Sequence, residues 1–227
     1  MNIVECTDVN KTYQQGQVQI VALKDVSFCI ETGAFVALAG PSGSGKTTLL
    51  NLIGGLDSAD SGDITVDGNP FGQMSQSQLA KLRLYMVGFV FQAYNLIPVR
   101  SAAENVEFVM LLQRIPVSER KQRARAILDE VGLGGKYDRR PAQLSGGQQQ
   151  RVAVARAIVS NPSIVLADEP TANLDSKTGK GLLEIMKKMN LEKQITFIFS
   201  THDKMVMDYA RRLILLQDGR LADDRVK

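Results

Sequence analysis

The chain has 227 residues, of which 44% are hydrophobic and 22% are charged, and its formal net charge is +3 at pH 7. This length is sufficient for one compact domain with a substantial core and room for a subdomain. The small net charge argues against extended electrostatic binding of nucleic acid as the main activity, although a local basic patch would be compatible with it.

The cysteines and the lack of a long apolar run limit the cellular setting. Cys6 and Cys29 have no metal-ligand spacing and indicate no disulfide framework, so a reducing cytoplasm is the simplest compartment. No apolar stretch approaches the about 18 residues of a membrane span, and the first residues lack the features of a signal peptide. We therefore expect any membrane role to come through a partner.

The first 30 residues predict a small antiparallel sheet. β-Branched segments between positions 3 and 30 are typical of short strands, and a turn is predicted at 14–17. Tyr13 directly precedes this turn. Its ring would either stack on a base or pack in the core, and its position favours neither interpretation.

Residues Gly40–Thr48 match the phosphate-binding loop pattern G-x-x-x-x-G-K-[ST]. An apolar strand, Phe35–Ala39, precedes them, and the apolar spacing after them predicts a helix, which is the context that this loop requires. Lys46 would reach the β- and γ-phosphates of a nucleoside triphosphate, and the Thr47 hydroxyl would bind Mg²⁺. The predicted nucleotide contacts of the loop are Gly40, Ser42, Gly43, Ser44, Gly45, Lys46, Thr47 and Thr48.

A buried strand at 87–91 ends at Gln92, after a predicted helix over 75–85. The Gln92 amide would lie near Mg²⁺ or a water, or it would be an ordinary surface amide. Residues 101–141 then predict two helices, 102–113 and 118–131, the second capped by Ser118. We interpret this part as a helical insertion between the strands of the core.

The sequence Leu144–Gln148 opens another predicted helix. Ser145 is a natural N-cap, and the two glycines after it leave backbone N–H donors uncovered, so this helix start is suited to an anion. Two glycines at this place are costly unless another group approaches them closely. The chain therefore has a second predicted phosphate-binding helix end.

Two further apolar strands end in polar residues. The strand at 163–167 ends at Asp168 and Glu169, and the strand at 195–200 ends at Thr201 and His202. In a parallel sheet these strand ends lie together, where ligands bind. Asp168 would hold Mg²⁺ through water, while Glu169 would orient or deprotonate the attacking water. His202 is the only histidine; such a residue is usually structural, but its position at a strand end favours a function.

In their order along the chain, these motifs resemble those of ABC-type ATPase cassettes. The match spans nearly the whole chain, and the pentapeptide Leu144–Gln148 is its most specific part. The resemblance implies an α/β fold in which a P-loop NTPase core with a mainly parallel sheet carries an N-terminal antiparallel β subdomain and a helical insertion. We expect the core to comprise 1–92 and 161–227, and the helical subdomain about 93–160.

The resemblance also implies that two cassettes bind two ATP molecules head to tail, with Mg²⁺. Each site would take Tyr13, the loop and Asp168 from one copy, with Glu169, His202 and Gln92 as catalytic residues and Thr47, Gln92 and Asp168 around the metal. The other copy would close the site in trans with Ser145, Gly147 and Gln148. In the family, the turn at 173–175 connects the two sites and the position of His202 contacts the γ-phosphate.

Residues 91–98, 103–106 and 173–176 look most like the branch that powers lipoprotein release and macrolide export. This implies an ATP-hydrolysing subunit on the cytoplasmic face of the inner membrane, held there by a separate permease. Leu96, Ile97 and Phe108 would form the docking surface or pack in the core. A cell-division-type regulatory ATPase is the alternative. A soluble ATPase acting on DNA or ribosomes is less favoured, since the chain has one cassette and no heptad tract, and we expect no nucleic-acid partner.

Overall fold

Two β-sheets and seven α-helices form the molecule, in a computed structural model that describes all residues 1–227. The strands are β1 (Asn2–Gln15), β2 (Val18–Glu31), β3 (Phe35–Ala39), β4 (Ser61–Val66), β5 (Asn69–Pro70), β6 (Val87–Val90), β7 (Ile164–Asp168), β8 (Thr196–Thr201), β9 (Arg212–Gln217) and β10 (Arg220–Val226). The helices are α1 (Lys46–Ile53), α2 (Gln76–Met86), α3 (Ala102–Leu112), α4 (Val117–Glu130), α5 (Gly146–Ile158), α6 (Ser176–Lys193) and α7 (Lys204–Tyr209).

The larger sheet has six strands in the order β10-β9-β3-β8-β7-β6. All neighbouring strands in it are parallel except β9 and β10, which form an antiparallel hairpin at one edge. Every residue of β3 and β8 is buried, as expected for central strands covered on both faces. The predicted mainly parallel sheet is confirmed.

The smaller sheet is antiparallel, with the strand order β2-β1-β4-β5. Its first hairpin turns at Gly16 and Gln17, inside the predicted turn. The expectation of several short strands was wrong, because β1 and β2 are each 14 residues long. Shifts of register between β1 and β2 mark bulges that bend the hairpin. These bulges interrupt the alternation of apolar and polar residues, so the sequence pattern does not predict one long strand.

Alternate residues of the large sheet enter two separate cores. Leu38, Leu166 and Ile198 pack in a cluster with α1, α2 and the antiparallel sheet. Phe35 and Phe197 point to the other face and pack in a cluster with helices α3 to α7. Successive residues of these strands point to opposite faces of the sheet, and both faces are covered. The strands therefore contain continuous apolar runs in the sequence.

The helical insertion is present, but the predicted start of its second helix was wrong. Helix α4 begins at Val117, and Pro116 occupies the N-cap without a side-chain hydrogen bond. The fixed φ of proline lets the helix start directly after it, so Ser118 already lies within the first turn. Helix α5 packs tightly on the core sheet: a Cβ on Gly88 would lie 2.3 Å from the carbonyl oxygen of Ala157. The exact division between core and helical subdomain stays a prediction.

No helix combines the length and the apolar character needed to cross a membrane.

Candidate functional site

A cavity of about 510 Å³ lies at the carboxyl ends of β3, β7 and β8. These parallel strands bring together residues that are more than a hundred positions apart in the sequence. Most of the predicted site residues line this cavity; the exceptions are Gly40, Ser44 and the three residues at the start of α5. The lining residues are Tyr13, Ile20, Val21, Ala22, Ser42, Gly43, Gly45, Lys46, Thr47, Thr48, Gln92, Asp168, Glu169 and His202.

Two positions of the phosphate-binding loop require glycine, because backbone atoms of other residues occupy the space that a Cβ would need. Gly40 and Gly45 have φ of 151° and 98°, and a Cβ on them would lie 2.1 Å from the carbonyl oxygen of Leu216 and 2.4 Å from that of Ala22. Gly43, by contrast, has nothing within 4 Å of its Cβ position and borders the cavity. The loop is therefore fixed against the protein at two points and open between them.

Lys46 lies across the loop that precedes it. Its ammonium group donates hydrogen bonds of 2.8 Å to the carbonyl oxygens of Gly40 and Pro41. Burial lowers the pKa of Lys46, although the charges of Glu169 and Asp168 oppose this shift. The ammonium is thus held against the loop, whose backbone N–H groups would also attract an anion.

The side-chain oxygens of Thr47 and Asp168 lie close together. The Thr47 hydroxyl lies 3.1 Å from Oδ1 and 3.2 Å from Oδ2 of Asp168. Hydroxyl and carboxylate oxygens are the ligands that Mg²⁺ accepts, usually with waters and substrate phosphates completing its shell. No group of three or more His, Cys, Asp or Glu side chains is placed to enclose a metal ion. The donor set therefore fits a Mg²⁺ ion that arrives with a phosphate ligand.

Both oxygens of the Glu169 carboxylate are engaged. Oε1 lies 2.6 Å from Nδ1 of His202 and accepts a 3.2 Å hydrogen bond from the His202 backbone N–H. Oε2 accepts a 3.2 Å hydrogen bond from the hydroxyl of Thr201. Glu169 has φ of 44°, an uncommon conformation for a non-glycine residue that is often found at functional sites. The ends of β7 and β8 thus hold the Glu169 carboxylate at the cavity. Two hydrogen-bond donors and one imidazole nitrogen contact it there.

Tyr13 and Gln92 border the cavity from two sides. Tyr13 is 37% exposed, so it is not a core residue. Gln92 is exposed and lines the cavity, a position compatible with both interpretations made from the sequence. Its backbone carbonyl accepts a 2.9 Å hydrogen bond from the side chain of Asn173, in the predicted connecting turn.

Sequence reasoning missed the apolar wall of the cavity and the contact of Thr201. Ile20, Val21 and Ala22 on β2 line the cavity, and Ile20 pairs with Tyr13 across the hairpin. Ile20 and Val21 are 44% and 56% exposed, which is unusual for such side chains. The signal available in the sequence was a β-branched pair next to a turn, but only the folded hairpin shows that it borders a ligand cavity.

The start of α5 lies outside this cavity. Ser145 caps the helix by accepting from the Gln148 N–H at 3.3 Å, and Gln148 accepts from the Ser145 N–H at 3.1 Å. The two glycines have close neighbours in their own chain: a Cβ on Gly146 would lie 2.9 Å from the Tyr94 hydroxyl, and one on Gly147 would lie 2.3 Å from Cγ2 of Thr178. An approaching ligand is therefore not the only reason for these glycines.

Comparisons with known proteins agree with this geometry. The model of the family described as ABC transporter matches residues 23–172. An ABC transporter ATP-binding protein of Thermotoga maritima is 45% identical over 219 residues, covering 96% of this chain and 93% of that protein. The macrolide export ATP-binding/permease protein MacB of Aggregatibacter actinomycetemcomitans is 44% identical over 227 residues, but this chain spans only 35% of it.

A solved structure shows the same fold. It is described as a dimeric post-hydrolysis state of the ATP-binding cassette MJ0796 bound to ADP and Pi; it has a TM-score of 0.91 and 43% sequence identity, with 98% of both chains covered. A second structure of the dimeric MJ0796 cassette has the same TM-score at 42% identity. Together with the cavity lined by the phosphate-binding loop, these matches establish that the chain belongs to the ABC transporter family and is one of its ATP-hydrolysing cassettes.

Proposed function

We propose that two copies of the chain close around two ATP molecules and that this cycle of closure and hydrolysis drives a separate membrane permease. The observation that carries the proposal is the separation of two phosphate-binding elements. The loop lines the cavity, whereas Ser145, Gly147 and Gln148 lie outside it in the same chain. A second copy arranged head to tail would supply them to the open side of the cavity. The dimeric state described for the MJ0796 cassette supports this arrangement.

Within each site, the loop and Lys46 would bind the phosphates. Thr47 and Asp168, with Gln92, would hold Mg²⁺, which supplies positive charge on the phosphate oxygens when bound. The ring of Tyr13 would stack on the base against the apolar wall of Ile20 and Val21. These contacts position the nucleotide without themselves breaking a bond.

Glu169 would accept the proton of the attacking water. Its carboxylate lies at the cavity edge, and hydrogen bonds from the strand end at Thr201 and His202 hold it. His202 is the more exposed member of this group, with a side chain 67% exposed, and would be free to turn toward the γ-phosphate. The fold thus positions Glu169 as the base, and the His202 imidazole would complete the site when the nucleotide is bound.

Loss of the γ-phosphate would reopen the dimer. A change of a two-state equilibrium from 1:99 to 99:1 requires about 5.5 kcal/mol of differential binding. Contacts of two γ-phosphates, each with both copies, could supply this amount, since single charge-assisted hydrogen bonds contribute about 1.5–3 kcal/mol. The dimer would therefore act as an ATP-dependent switch.

The permease would bind to an apolar groove of about 580 Å³ between α2, β6, α3 and α5. Phe108 lines this groove, but Leu96 packs against the helical core, and the backbone of Ile97 is bonded to the side chain of Asn105. Of these three residues, we therefore propose Phe108 for the docking surface in this groove. Other groove residues are Leu84, Phe89, Phe91 and Leu112.

The macrolide-export relatives favour a transporter of the lipoprotein-release and macrolide-export branch over a division-type or nucleic-acid ATPase. In those proteins, by their names, one chain is both ATP-binding protein and permease. Binding to a permease would place this cassette on the cytoplasmic face of the membrane. Copurification of the native complex tests this part, and recovery of ribosomes or DNA in place of an integral membrane protein would contradict it.

A cross-linking experiment tests the dimer directly. The exposed Cys29 is first replaced by serine, and Glu169→Gln is introduced to slow turnover. One preparation then carries Ser42→Cys and a second carries Ser145→Cys; both positions are exposed. With a short bifunctional thiol reagent, we expect a cross-linked heterodimer in ATP and none without nucleotide.

The control replaces the second cysteine by Ser75→Cys, because Ser75 is also an exposed N-cap with a capping box but belongs to α2. Equal cross-linking of this control, or no cross-link although ATP is bound, would contradict the head-to-tail site.

A further inference from the structure

Three charged side chains, those of Lys11, Asp57 and Asp60, form a cluster next to Tyr13. The Tyr13 hydroxyl donates a 2.8 Å hydrogen bond to Oδ2 of Asp57. The ammonium of Lys11 lies 3.1 Å from Oδ1 of Asp57 and 5.2 Å from the centroid of the tyrosine ring. Asp60 lies 3.5 Å from the same ammonium and accepts a 2.6 Å hydrogen bond from the Thr12 N–H. None of the three charged residues lines the cavity.

Asp57 is held firmly in this cluster. In addition to Tyr13 and Lys11, it accepts a 2.7 Å hydrogen bond from the Ser58 N–H, so both its oxygens are occupied. Partial burial opposes ionisation, but these hydrogen bonds and the charge of Lys11 keep the pKa of Asp57 below its usual range. Burial and the bond to Asp57 raise the pKa of Tyr13, so the phenol remains a donor at neutral pH.

Asp57 follows the helix that begins at the phosphate-binding loop. Helix α1 starts at Lys46 and ends at Ile53, and the chain then turns back through Gly54 and Gly55. The hydrogen bond from Tyr13 therefore joins β1 to the element that carries the phosphate contacts. A base platform and a phosphate cradle that are fixed to each other present one preorganised surface to a nucleotide, which reduces the entropy lost on binding.

We propose that Asp57, supported by Lys11, is a positioning residue for nucleotide binding: it holds the Tyr13 ring in the orientation that stacks on the base. This inference rests on the proposed stacking role of Tyr13. Asp57 does not contact the nucleotide in this scheme and acts only through the phenol. Its loss would weaken the binding of ligands that have a base, and it would not affect ligands that offer phosphates alone.

The test compares the binding of ATP with that of inorganic tripolyphosphate, both with Mg²⁺, by calorimetry. For Asp57→Ala we expect the dissociation constant of ATP to rise about five- to tenfold, the size of one ordinary hydrogen bond, because Asp57 acts on the nucleotide only through the Tyr13 phenol. The dissociation constant of tripolyphosphate should stay within about twofold of the wild-type value. Equal weakening of both ligands, or no weakening of ATP, would overturn the proposal.

A double-mutant cycle separates positioning from general destabilisation. Tyr13→Phe keeps the ring and removes the hydroxyl, so it should reproduce most of the effect of Asp57→Ala. In the Tyr13→Phe background, Asp57→Ala should then have little further effect on ATP. Additive effects of the two substitutions would contradict an action through the phenol. If Asp57→Ala fails to fold, Tyr13→Phe together with Asp57→Asn decides the question by the same comparison of ligands.

Two controls complete the design. Glu184→Ala breaks another tyrosine-carboxylate pair, the 3.3 Å contact with the Tyr209 hydroxyl, in which neither residue lines the cavity. This variant should bind both ligands as the wild type does. Tyr13→Ala tests the stacking role itself. If Tyr13→Ala leaves ATP binding unchanged, the proposed stacking is wrong; if it weakens ATP but Asp57→Ala does not, the role of Asp57 alone is wrong.

Discussion

The hydroxyl of Thr201 donates a hydrogen bond of 3.2 Å to Oε2 of Glu169. The same hydroxyl accepts a 3.0 Å hydrogen bond from the N–H of Asp203. Because the Thr201 oxygen accepts the Asp203 N–H at one lone pair, its single proton is directed to the Glu169 carboxylate. Thr201 is completely buried, so water does not compete for this position. The contact gives the proposed base a fixed orientation.

Replacement of Thr201 by valine should therefore slow ATP hydrolysis. We expect kcat to fall about tenfold, the effect of one lost hydrogen bond in the transition state, while KM for ATP changes little. Thr201→Ser keeps the hydroxyl and should restore most of the rate. The matched control is Thr196→Val at the other end of β8: Thr196 is also fully buried and accepts a 2.9 Å bond from the Gly33 N–H. A similar loss of kcat in both valine variants would show that only stability is affected.

Glu169→Gln should bind ATP but hydrolyse it at a rate reduced about 10²- to 10⁴-fold, because the amide cannot accept the proton of water. An ATP-bound dimer should accumulate, which size-exclusion chromatography with light scattering would detect. Wild-type turnover in this variant would rule out Glu169 as the base.

Lys46→Ala should lose affinity for ATP. The carbonyl oxygens of Gly40 and Pro41 hold the ammonium against the loop. Its removal deletes the proposed charge-assisted contact with the phosphates, about 1.5–3 kcal/mol, or roughly ten- to hundredfold in the dissociation constant. Lys188→Ala is the control, since Lys188 is exposed on α6 and forms only a surface pair with Glu192. Unchanged nucleotide affinity of Lys46→Ala would contradict the phosphate-binding role.

Gly45→Ala should destabilise the fold more than Gly16→Ala. Both glycines have positive φ, 98° and 62°, which costs about 1 kcal/mol for an alanine. A Cβ at position 45 would also lie 2.4 Å from the Ala22 carbonyl oxygen, whereas one at position 16 has nothing within 4 Å. The free energy of unfolding in urea measures the difference. Equal losses would mean that the loop can move away from β2.

Only one of the two thiols should react with a thiol reagent at pH 8 in the folded protein. Burial raises the pKa of Cys6 to about 12, so its thiolate becomes appreciable only as the pH rises toward that value. Cys29 is exposed. Titration with Ellman's reagent should detect one thiol per chain in native buffer and two in guanidinium chloride. Rapid reaction of both thiols in native buffer would contradict the burial of Cys6.

The sequence by itself determined the parts of the site that are contiguous in the chain. The loop at Gly40–Thr48 carries its own geometry, because its glycines, its lysine and the helix after it are neighbours in sequence. The polar residues after β7 and β8 were also predictable, since parallel strands end at one edge of the sheet. Helix starts with a serine and a glutamine three residues later, such as that of α5, follow from local hydrogen bonding as well.

The tertiary structure decided the contacts between residues far apart in the chain. Asp168 pairs with Ser200 in the register of β7 and β8, and this register alone brings Glu169 to Thr201 and His202. The Tyr13 hydroxyl reaches Asp57 only because the first hairpin folds over the turn after α1. Neither contact is encoded by local periodicity, because sheet register and hairpin bending are set by the packing of the whole core. Packing likewise leaves Ser145 outside the cavity, which is why the site requires a second copy in our proposal.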